Sequence, residues 1–323
     1  FTGKFTYGEG YDESMYARDL SNQNSFDLYE LDIQSGDFIS SIEKIIYYLD
    51  EPVAGPGSFP QYQISNLASQ HRKVVLGGQG GDEIFGGYAR YLIAYFEQCI
   101  KGAIDGTLNS GNFVVTYESI ISNLETLKQY KPMLKQFWSS GLFDTINKRY
   151  FDLVNRAPTL GKEINWNLLG KSSTYDDFSH IFLGDNVGHE SYFDLMTHFD
   201  FKTLLPALLH VEDRMSMAHG IESRVPFLDH KIVELAATIP ADIKFKNGEL
   251  KRLLGKAFDP ILPSSINERK DKMGFPVPLN EWMQGELKNY VCGIFETGRD
   301  KGRKFFNSDI ILENLSKEGK FSR

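Results

Sequence analysis

The chain has 323 residues, of which 41% are hydrophobic and 24% are charged, and its formal net charge is -8. This composition is typical of a folded protein with a sizeable core, and no apolar run approaches the roughly 18 residues of a membrane-spanning helix. The acidic balance argues against a general nucleic-acid binder, because binding to the phosphate backbone depends on clustered lysine and arginine. We therefore expect neither a nucleic acid nor a membrane as a partner.

The cysteine and histidine content indicates the redox compartment of the protein and limits which metals it could bind. Cys99 and Cys292 are too few for a disulfide framework, which favours the reducing cytosol, so we expect a cytoplasmic protein. The seven histidines form no zinc-binding pattern with one another or with cysteine. Zinc is therefore not expected.

Predicted elements of the first hundred residues alternate between strands and helices. A short strand is predicted over residues 1–5, a helix over residues 12–20, and residues 26–33 alternate in polarity as a strand does. An amphipathic helix follows, whose apolar residues recur at three- and four-residue spacing and predict one apolar stripe that packs on the core. These residues are Ile39, Ile42, Ile45, Ile46 and Leu49.

A further helix is predicted over residues 60–70, and residues 73–76 return as a strand. Strands separated by helices are typical of parallel sheets, whose ligands bind beyond the carboxyl ends of the strands. From residue 88 onward the pattern becomes mostly helical. We expect one domain over residues 1–323, with an α/β sheet part in residues 1–100 and a mainly helical part in residues 101–323.

The loop that directly follows the strand at 73–76 carries four glycines in five residues. Glycine lets backbone N–H groups approach a ligand closely, although a plain strand-to-helix turn with positive φ also needs glycine. Asp82 stands where a helix would begin, so its carboxylate either caps that helix or holds a divalent cation against a phosphate chain. The acidic end favours a nucleotide site. Its candidate residues are Gly77, Gly78, Gln79, Gly80, Gly81, Asp82 and Glu83.

Six sequence blocks are spread in order over nearly the whole chain. They are Tyr11-Asp12-Glu13-Ser14 with Tyr16-Ala17-Arg18, Leu49-Asp50-Glu51-Pro52, the loop at 77–88, Asp213-Arg214-Met215-Ser216-Met217-Ala218, Glu222-Ser223-Arg224-Val225-Pro226-Phe227-Leu228-Asp229, and Lys272-Met273-Gly274-Phe275-Pro276-Val277-Pro278. Together they resemble the synthetase domain of glutamine-dependent asparagine synthetases and their amidotransferase relatives. The resemblance implies an α/β fold with a parallel sheet of the adenine nucleotide α-hydrolase (PP-loop ATP pyrophosphatase) type and a large helical C-terminal portion.

Members of that family join a carboxylate to ammonia in two steps. ATP adenylates the acid and releases pyrophosphate, and ammonia from a separate glutaminase domain then displaces AMP. The resemblance implies that the Gly77-Gly78 backbone lies beside the adenylate, that Asp82 holds Mg²⁺ and pyrophosphate, and that Lys272 is the catalytic lysine held against the transferring phosphate. Without the resemblance, Lys272 would be interpreted as a surface charge. The implied cofactors are ATP and Mg²⁺, and the implied partners are a small carboxylate, glutaminase-derived ammonia and a second copy in a homodimer.

Several charged residues have two interpretations each. Arg214 either contacts the acyl substrate or forms a structural ion pair. Glu222 and Arg224 either form a wall of the substrate pocket or belong to a buried network that braces two helices. Asp50 and Glu51 likewise either end a helix or contact the nucleotide.

The sequence departs from the family pattern in two places. The phosphate loop of Ser-Gly-Gly-x-Asp-Ser type is absent and, with the first strand and the glutaminase domain, would lie upstream of Phe1. We therefore expect that this polypeptide alone does not form adenylate, which an assay of ATP–pyrophosphate exchange checks. Gln79 stands where asparagine synthetases usually carry an acidic residue, so a carboxylate other than aspartate is an alternative substrate.

Two rival functions remain open. A β-lactam-forming synthetase uses the same adenylation but closes a ring with an internal amine, and it needs a Tyr/Glu pair that the sequence does not offer. A non-catalytic binding module would retain the fold without the chemistry. The encoded sequence upstream of Phe1 distinguishes an enzyme from such a module.

Overall fold

The computed structural model describes residues 1–7, 10–53, 55–105, 127–128, 130–139, 141, 144–169, 173–269, 274, 276–301 and 304–316. Within these ranges the protein is an α/β structure, mostly helical, with small parallel sheets. None of the helices in these ranges combines the length and the apolar character that crossing a membrane requires.

The strands form two parallel pairs in the described ranges. β1 (Thr2–Lys4) lies beside β2 (Glu30–Asp32), and β3 (Val74–Leu76) lies beside β4 (Glu222–Arg224). The predicted parallel pairing is confirmed for β1 and β2, whereas β3 pairs with β4 and forms no sheet with β1 and β2 in the described ranges. β4 is not among the predicted strands, because it belongs to the part expected to be mainly helical and its sequence, Glu-Ser-Arg, carries no strand signal.

Helices make up most of the described chain. They are α1 (Ser14–Asn24), α2 (Ser35–Leu49), α3 (Ser58–Ser69), α4 (Gly81–Phe85), α5 (Ala89–Asp105), α6 (Lys131–Phe137), α7 (Ile146–Val154), α8 (Thr174–Phe182), α9 (Tyr192–Lys202), α10 (Leu204–Met217), α11 (His230–Thr238), α12 (Ala241–Lys244), α13 (Arg252–Phe258), α14 (Ser264–Asn267), α15 (Leu279–Gln284), α16 (Lys288–Asp300) and α17 (Ser308–Ser316). Short 3₁₀ turns cover Ala157–Leu160, Trp166–Leu168, Pro226–Leu228 and Lys246–Gly248.

The apolar stripe expected on α2 is only partly buried. Ile45 and Leu49 face the core, but Ile39 and Ile46 are 41% and 63% exposed, so the expectation of one buried stripe is wrong for these two residues. A helix turns by about 100° per residue, and Ile39 and Ile46 therefore lie about 100° from the face that carries Phe38, Ile45 and Leu49.

Two large apolar clusters hold the helices together. One cluster lies among α5, α7, α8 and α9 and contains fully buried aromatic residues such as Tyr91, Tyr150 and Phe193. The second lies around β1, α2 and α3 and includes Phe5, Phe59 and Trp282. α10 packs against α2, α3, α9 and β4, so it lies beside the loop that leaves β3.

Candidate functional site

The glycine loop begins where β3 ends. The Gly77 N–H donates to the Arg224 carbonyl at 2.7 Å, which extends the pairing with β4 beyond the last residue of β3. Gly80 has a φ of +90°, and a Cβ there would collide with a methyl carbon of Leu228. Glycine is therefore required at position 80 by the fold itself.

Gly78 has a different environment. It is exposed, and a Cβ added to it would meet no atom of the described residues within 4 Å. Protein packing therefore does not explain glycine at this position. Close approach of a ligand to the backbone would explain it.

A buried carboxylate lies beneath the loop. Glu212 of α10 is 6% exposed, and a Cβ on Gly77 would lie 2.9 Å from its Oε1 atom. Ser223 Oγ donates to Oε1 at 2.5 Å, while Gln61 Nε2 and Gln79 Nε2 donate to Oε2 at 3.0 and 3.4 Å. Glu212 thus connects α3, α10, β4 and the loop.

Sequence reasoning did not select Glu212 as a site residue, although a signal was present. Glu212 interrupts a dense apolar stretch, and a polar group in such a stretch must be paired or functional. The sequence could not show that Gln61 and Gln79 are its partners, since they lie 151 and 133 residues before it in the chain.

The Asp82 carboxylate faces a lysine that follows much later in the chain. Asp82 Oδ1 lies 3.0 Å from Lys251 Nζ, and both side chains are partly exposed. The N-cap residue of α4 is Gly80, and no side chain caps the helix, which does not support a capping role for Asp82. Lys251 belongs to no sequence motif that would have placed it at the loop.

The donor set at Asp82 suits a Mg²⁺ ion that is bound together with a nucleotide. In the described part of the chain no group of three or more His, Cys, Asp or Glu residues could hold a metal. Mg²⁺ bound with a nucleotide usually takes only one or two carboxylates together with phosphate oxygens and water. Asp82 fits as one such carboxylate.

Glu83 is turned into the protein. It is buried, and the Tyr88 hydroxyl donates to its carboxylate. Burial raises the pKa of Glu83, and burial together with Glu83 also raises the pKa of Tyr88. This placement favours a structural role for Glu83 and leaves its predicted contact with the nucleotide without support from the geometry.

The raised pKa of Glu83 predicts a pH-dependent contribution to stability. The contribution is fully present below the usual value of 4.5 and is lost as the pH rises through the raised pKa, because the native state then has to bury a charge. In Glu83→Gln this loss should be absent, so the stability difference between the unmodified chain and the variant should change with pH. Urea unfolding between about pH 4 and 8 measures it. Glu43→Gln, at an exposed position on α2, is the control; an equal pH dependence in both variants would contradict the assignment.

Arg214 forms an ion pair at the surface. Its Nη2 atom lies 3.2 Å from Asp50 Oδ2, with the Arg214 side chain partly exposed and the Asp50 side chain largely exposed. Asp50 is also the C-cap residue of α2, with a φ of +60°. The structural ion pair therefore exists, and Asp50 ends a helix, while contact of Arg214 with a substrate stays a prediction.

Glu222 and Arg224 pair with each other rather than with a buried network. Arg224 Nε donates to Glu222 Oε1 at 2.7 Å, and the Arg224 and Glu222 side chains are 61% and 59% exposed. Of the two interpretations, the buried network that braces two helices is wrong, and the wall of a substrate pocket stays a prediction. Alternate residues of a strand point to the same side, so both side chains lie on the open side of β4 while Ser223 points towards Glu212.

Lys272 lies outside the described residues, as do the other residues of the segment 270–273. Its predicted role as the lysine held against the transferring phosphate therefore stays a prediction. The described residues bring together the glycine loop, Asp82, Lys251 and Glu212, while Arg214 lies at the C-terminal end of α10 beside Asp50.

Comparisons with known proteins give matches over nearly the whole chain. The family model described as asparagine synthase matches residues 1–322. The chain is 28% identical over 313 residues to glutamine-hydrolysing asparagine synthetase 1 of Bacillus subtilis, a match that covers 95% of this chain and 46% of that protein. It is also similar to asparagine synthetase 3 of the same organism, 28% identical over 197 residues (61% of this chain, 25% of that protein). A third relative is the amidase chry2 of Gibberella zeae, 22% identical over 311 residues (91% of this chain, 45% of that protein). The chain spans less than half of the length of each of these relatives.

Proposed function

This chain belongs to the asparagine synthase family, and we propose that it acts in ATP-dependent amide formation. In this proposal ATP adenylates a carboxylate substrate, and ammonia derived from glutamine displaces AMP. The observation that carries the proposal is the exposed Gly78 backbone at the carboxyl end of β3, with Asp82 at the start of the next helix. Ligands of parallel sheets bind at this end of the strands.

The charges of the site suit the departure of pyrophosphate. Negative charge builds up on the leaving group, and cations and aimed N–H groups stabilise it where water is excluded. The backbone of Gly77 and Gly78 would contact the nucleotide, and Asp82 would hold Mg²⁺, which supplies positive charge to the phosphates when bound. The Lys251 ammonium beside Asp82 adds a positive charge at the same place. Lys272 is proposed as a second lysine, held against the transferring phosphate.

Several finer features belong to the same proposal. The sheet is proposed to be of the PP-loop ATP pyrophosphatase type, and the protein to be a cytoplasmic homodimer that receives ammonia from a glutaminase domain. The acid is aspartate or a related carboxylate. The Bacillus subtilis relatives are named asparagine synthetases, whereas the Gibberella zeae relative is named an amidase, so the family resemblance alone does not select the acid.

The experiment uses the complete gene product that contains this chain. AMP release is measured with ATP, Mg²⁺ and either glutamine or ammonia, with aspartate compared against a panel of other carboxylic acids. We expect AMP release that depends on both the acid and the nitrogen source. Release that needs no external nitrogen would favour a β-lactam-type synthetase, and ATP binding without AMP release for any acid would favour a binding module.

A further inference from the structure

The buried carboxylate of Glu212 is in contact with the backbone that the nucleotide would touch. A Cβ at Gly77 would lie 2.9 Å from Glu212 Oε1 and 3.4 Å from Ser223 Oγ, so any larger residue there would displace the Glu212 carboxylate. The Gly77 N–H is itself committed to Arg224. The position of Gly77 is therefore determined by β4 on one side and by Glu212 on the other.

Both oxygens of the Glu212 carboxylate accept hydrogen bonds. Oε1 accepts from Ser223, and Oε2 accepts from the amides of Gln61 and Gln79. A carboxylate at 6% exposure needs such donors, because a buried charge without them would be strongly destabilising. Gln79 belongs to the loop itself and directly follows Gly78. Its side-chain amide therefore binds the loop to the same carboxylate that lies beside Gly77.

The exposed Gly78 thus lies between Gly77, which is adjacent to the Glu212 carboxylate, and Gln79, which donates a hydrogen bond to it. We propose that Glu212 is the positioning residue of the nucleotide loop and that it requires a neutral amide donor at position 79. This inference rests on the proposed function, since the ligand of the loop is taken to be ATP. An acidic side chain at position 79 would face Glu212 with a like charge, and the two carboxylates would repel each other in a half-buried place.

The same argument accounts for glutamine at position 79. With Glu212 beneath the loop, a second carboxylate at position 79 would move the loop away from α10, whereas glutamine has the N–H donor that Glu212 accepts. Glutamine at position 79 is thereby assigned a role in holding the loop, and the choice of acid substrate is left to other residues.

The test is a charge exchange in the complete gene product. The variants are Gln79→Glu, Glu212→Gln and the double variant, and the control is Gln70→Glu, which adds the same charge at the exposed C-cap position of α3. Binding of a non-hydrolysable ATP analogue is measured by calorimetry, and KM for ATP and kcat are measured by AMP release. Thermal melting checks that each variant folds.

Gln79→Glu should weaken binding of the analogue and raise KM for ATP by about tenfold or more, which corresponds to one repelling contact of about 1.4 kcal/mol. The double variant should recover to within about threefold of the unmodified protein, because the exchanged side chains again provide one carboxylate and one amide donor. The Gln70→Glu control should leave KM unchanged.

Either of two results would overturn the inference. Unchanged binding in Gln79→Glu would show that position 79 tolerates a charge, and an unrecovered double variant would show that Glu212 is not its counterpart. If Glu212→Gln does not fold, the comparison of Gln79→Glu with Gln70→Glu decides alone. If the unmodified protein binds no ATP analogue, the proposed function fails together with this inference, whereas normal binding with equal values in all variants removes only the inference.

Discussion

Asp82→Asn should lower ATP–pyrophosphate exchange by the complete gene product by about 100-fold or more, because the variant removes the carboxylate proposed to hold Mg²⁺ and leaves Lys251 without its ion-pair partner. The substitution keeps the size of the side chain, and Asp82 is partly exposed, so the fold should be retained. Exchange is measured at increasing Mg²⁺ concentration, and the variant should need more Mg²⁺ for half-maximal activity.

The matched control for this prediction is Asp242→Asn, the same chemical change at an exposed position on α12. We expect exchange by this variant to equal that of the unmodified protein. Equal exchange and an equal Mg²⁺ requirement in Asp82→Asn and Asp242→Asn would contradict the placement of the metal at Asp82. Gly87→Ala tests the same placement of the metal in a second way. A Cβ at position 87 would overlap Asp82 Oδ1 and displace the carboxylate without removing its charge.

Arg149→Met should lower the free energy of unfolding by about 3–5 kcal/mol. The Arg149 guanidinium and the Glu97 carboxylate are both fully buried and are joined by two hydrogen bonds of 2.7 and 2.6 Å between α7 and α5. Arg149 also donates to the Phe137 carbonyl at 2.6 Å and lies over the Phe137 ring. Methionine would leave the charge of Glu97 in the interior without this partner.

A double-mutant cycle with Glu97→Met separates the cost of an unpaired charge from the loss of packing. The double variant should be more stable than Arg149→Met alone, since it buries two apolar side chains and no charge. Lys148→Met is the control, because Lys148 is the neighbouring residue and its pair with Asp152 is partly exposed, so its effect should stay below about 1 kcal/mol. Urea unfolding measures each variant and the unmodified protein. If Arg149→Met lowers the free energy of unfolding no more than Lys148→Met does, the prediction is contradicted.

The elements that the sequence predicted well are those with local signals. The helix stop at Asp50 and the glycine loop before α4 both depend on residues that are adjacent in the chain. The predicted start of α1 at residue 12 is wrong by two residues although its signal is also local, because α1 begins at Ser14, whose N–H donates to the Asp12 carboxylate at 2.8 Å. Such features are visible in a sequence because their physical causes span only a few residues.

Features that depend on distant contacts were missed or misassigned. β4 is a strand because β3 provides its hydrogen-bond partners, and its own residues do not favour a strand. The burial of Glu97 with Arg149 follows from the packing of α5 against α7, and neither residue differs in sequence from a charge on a solvated helix face. The exposure of Arg224 follows from its position on β4.

The residues alone predicted three features of this protein. They are the family resemblance, the alternation of strands and helices at the start of the chain, and the position of the glycine loop with Asp82 at its end. The folded chain was needed to show that Lys251 lies beside Asp82 and that Glu212 supports the loop through residues 61, 79 and 223. A turn or a helix end is fixed by neighbours in the chain, so its signal is local. A buried carboxylate is satisfied by whichever donors the packing of α3, α10 and β4 brings within 3.5 Å, and the sequence does not specify that packing residue by residue.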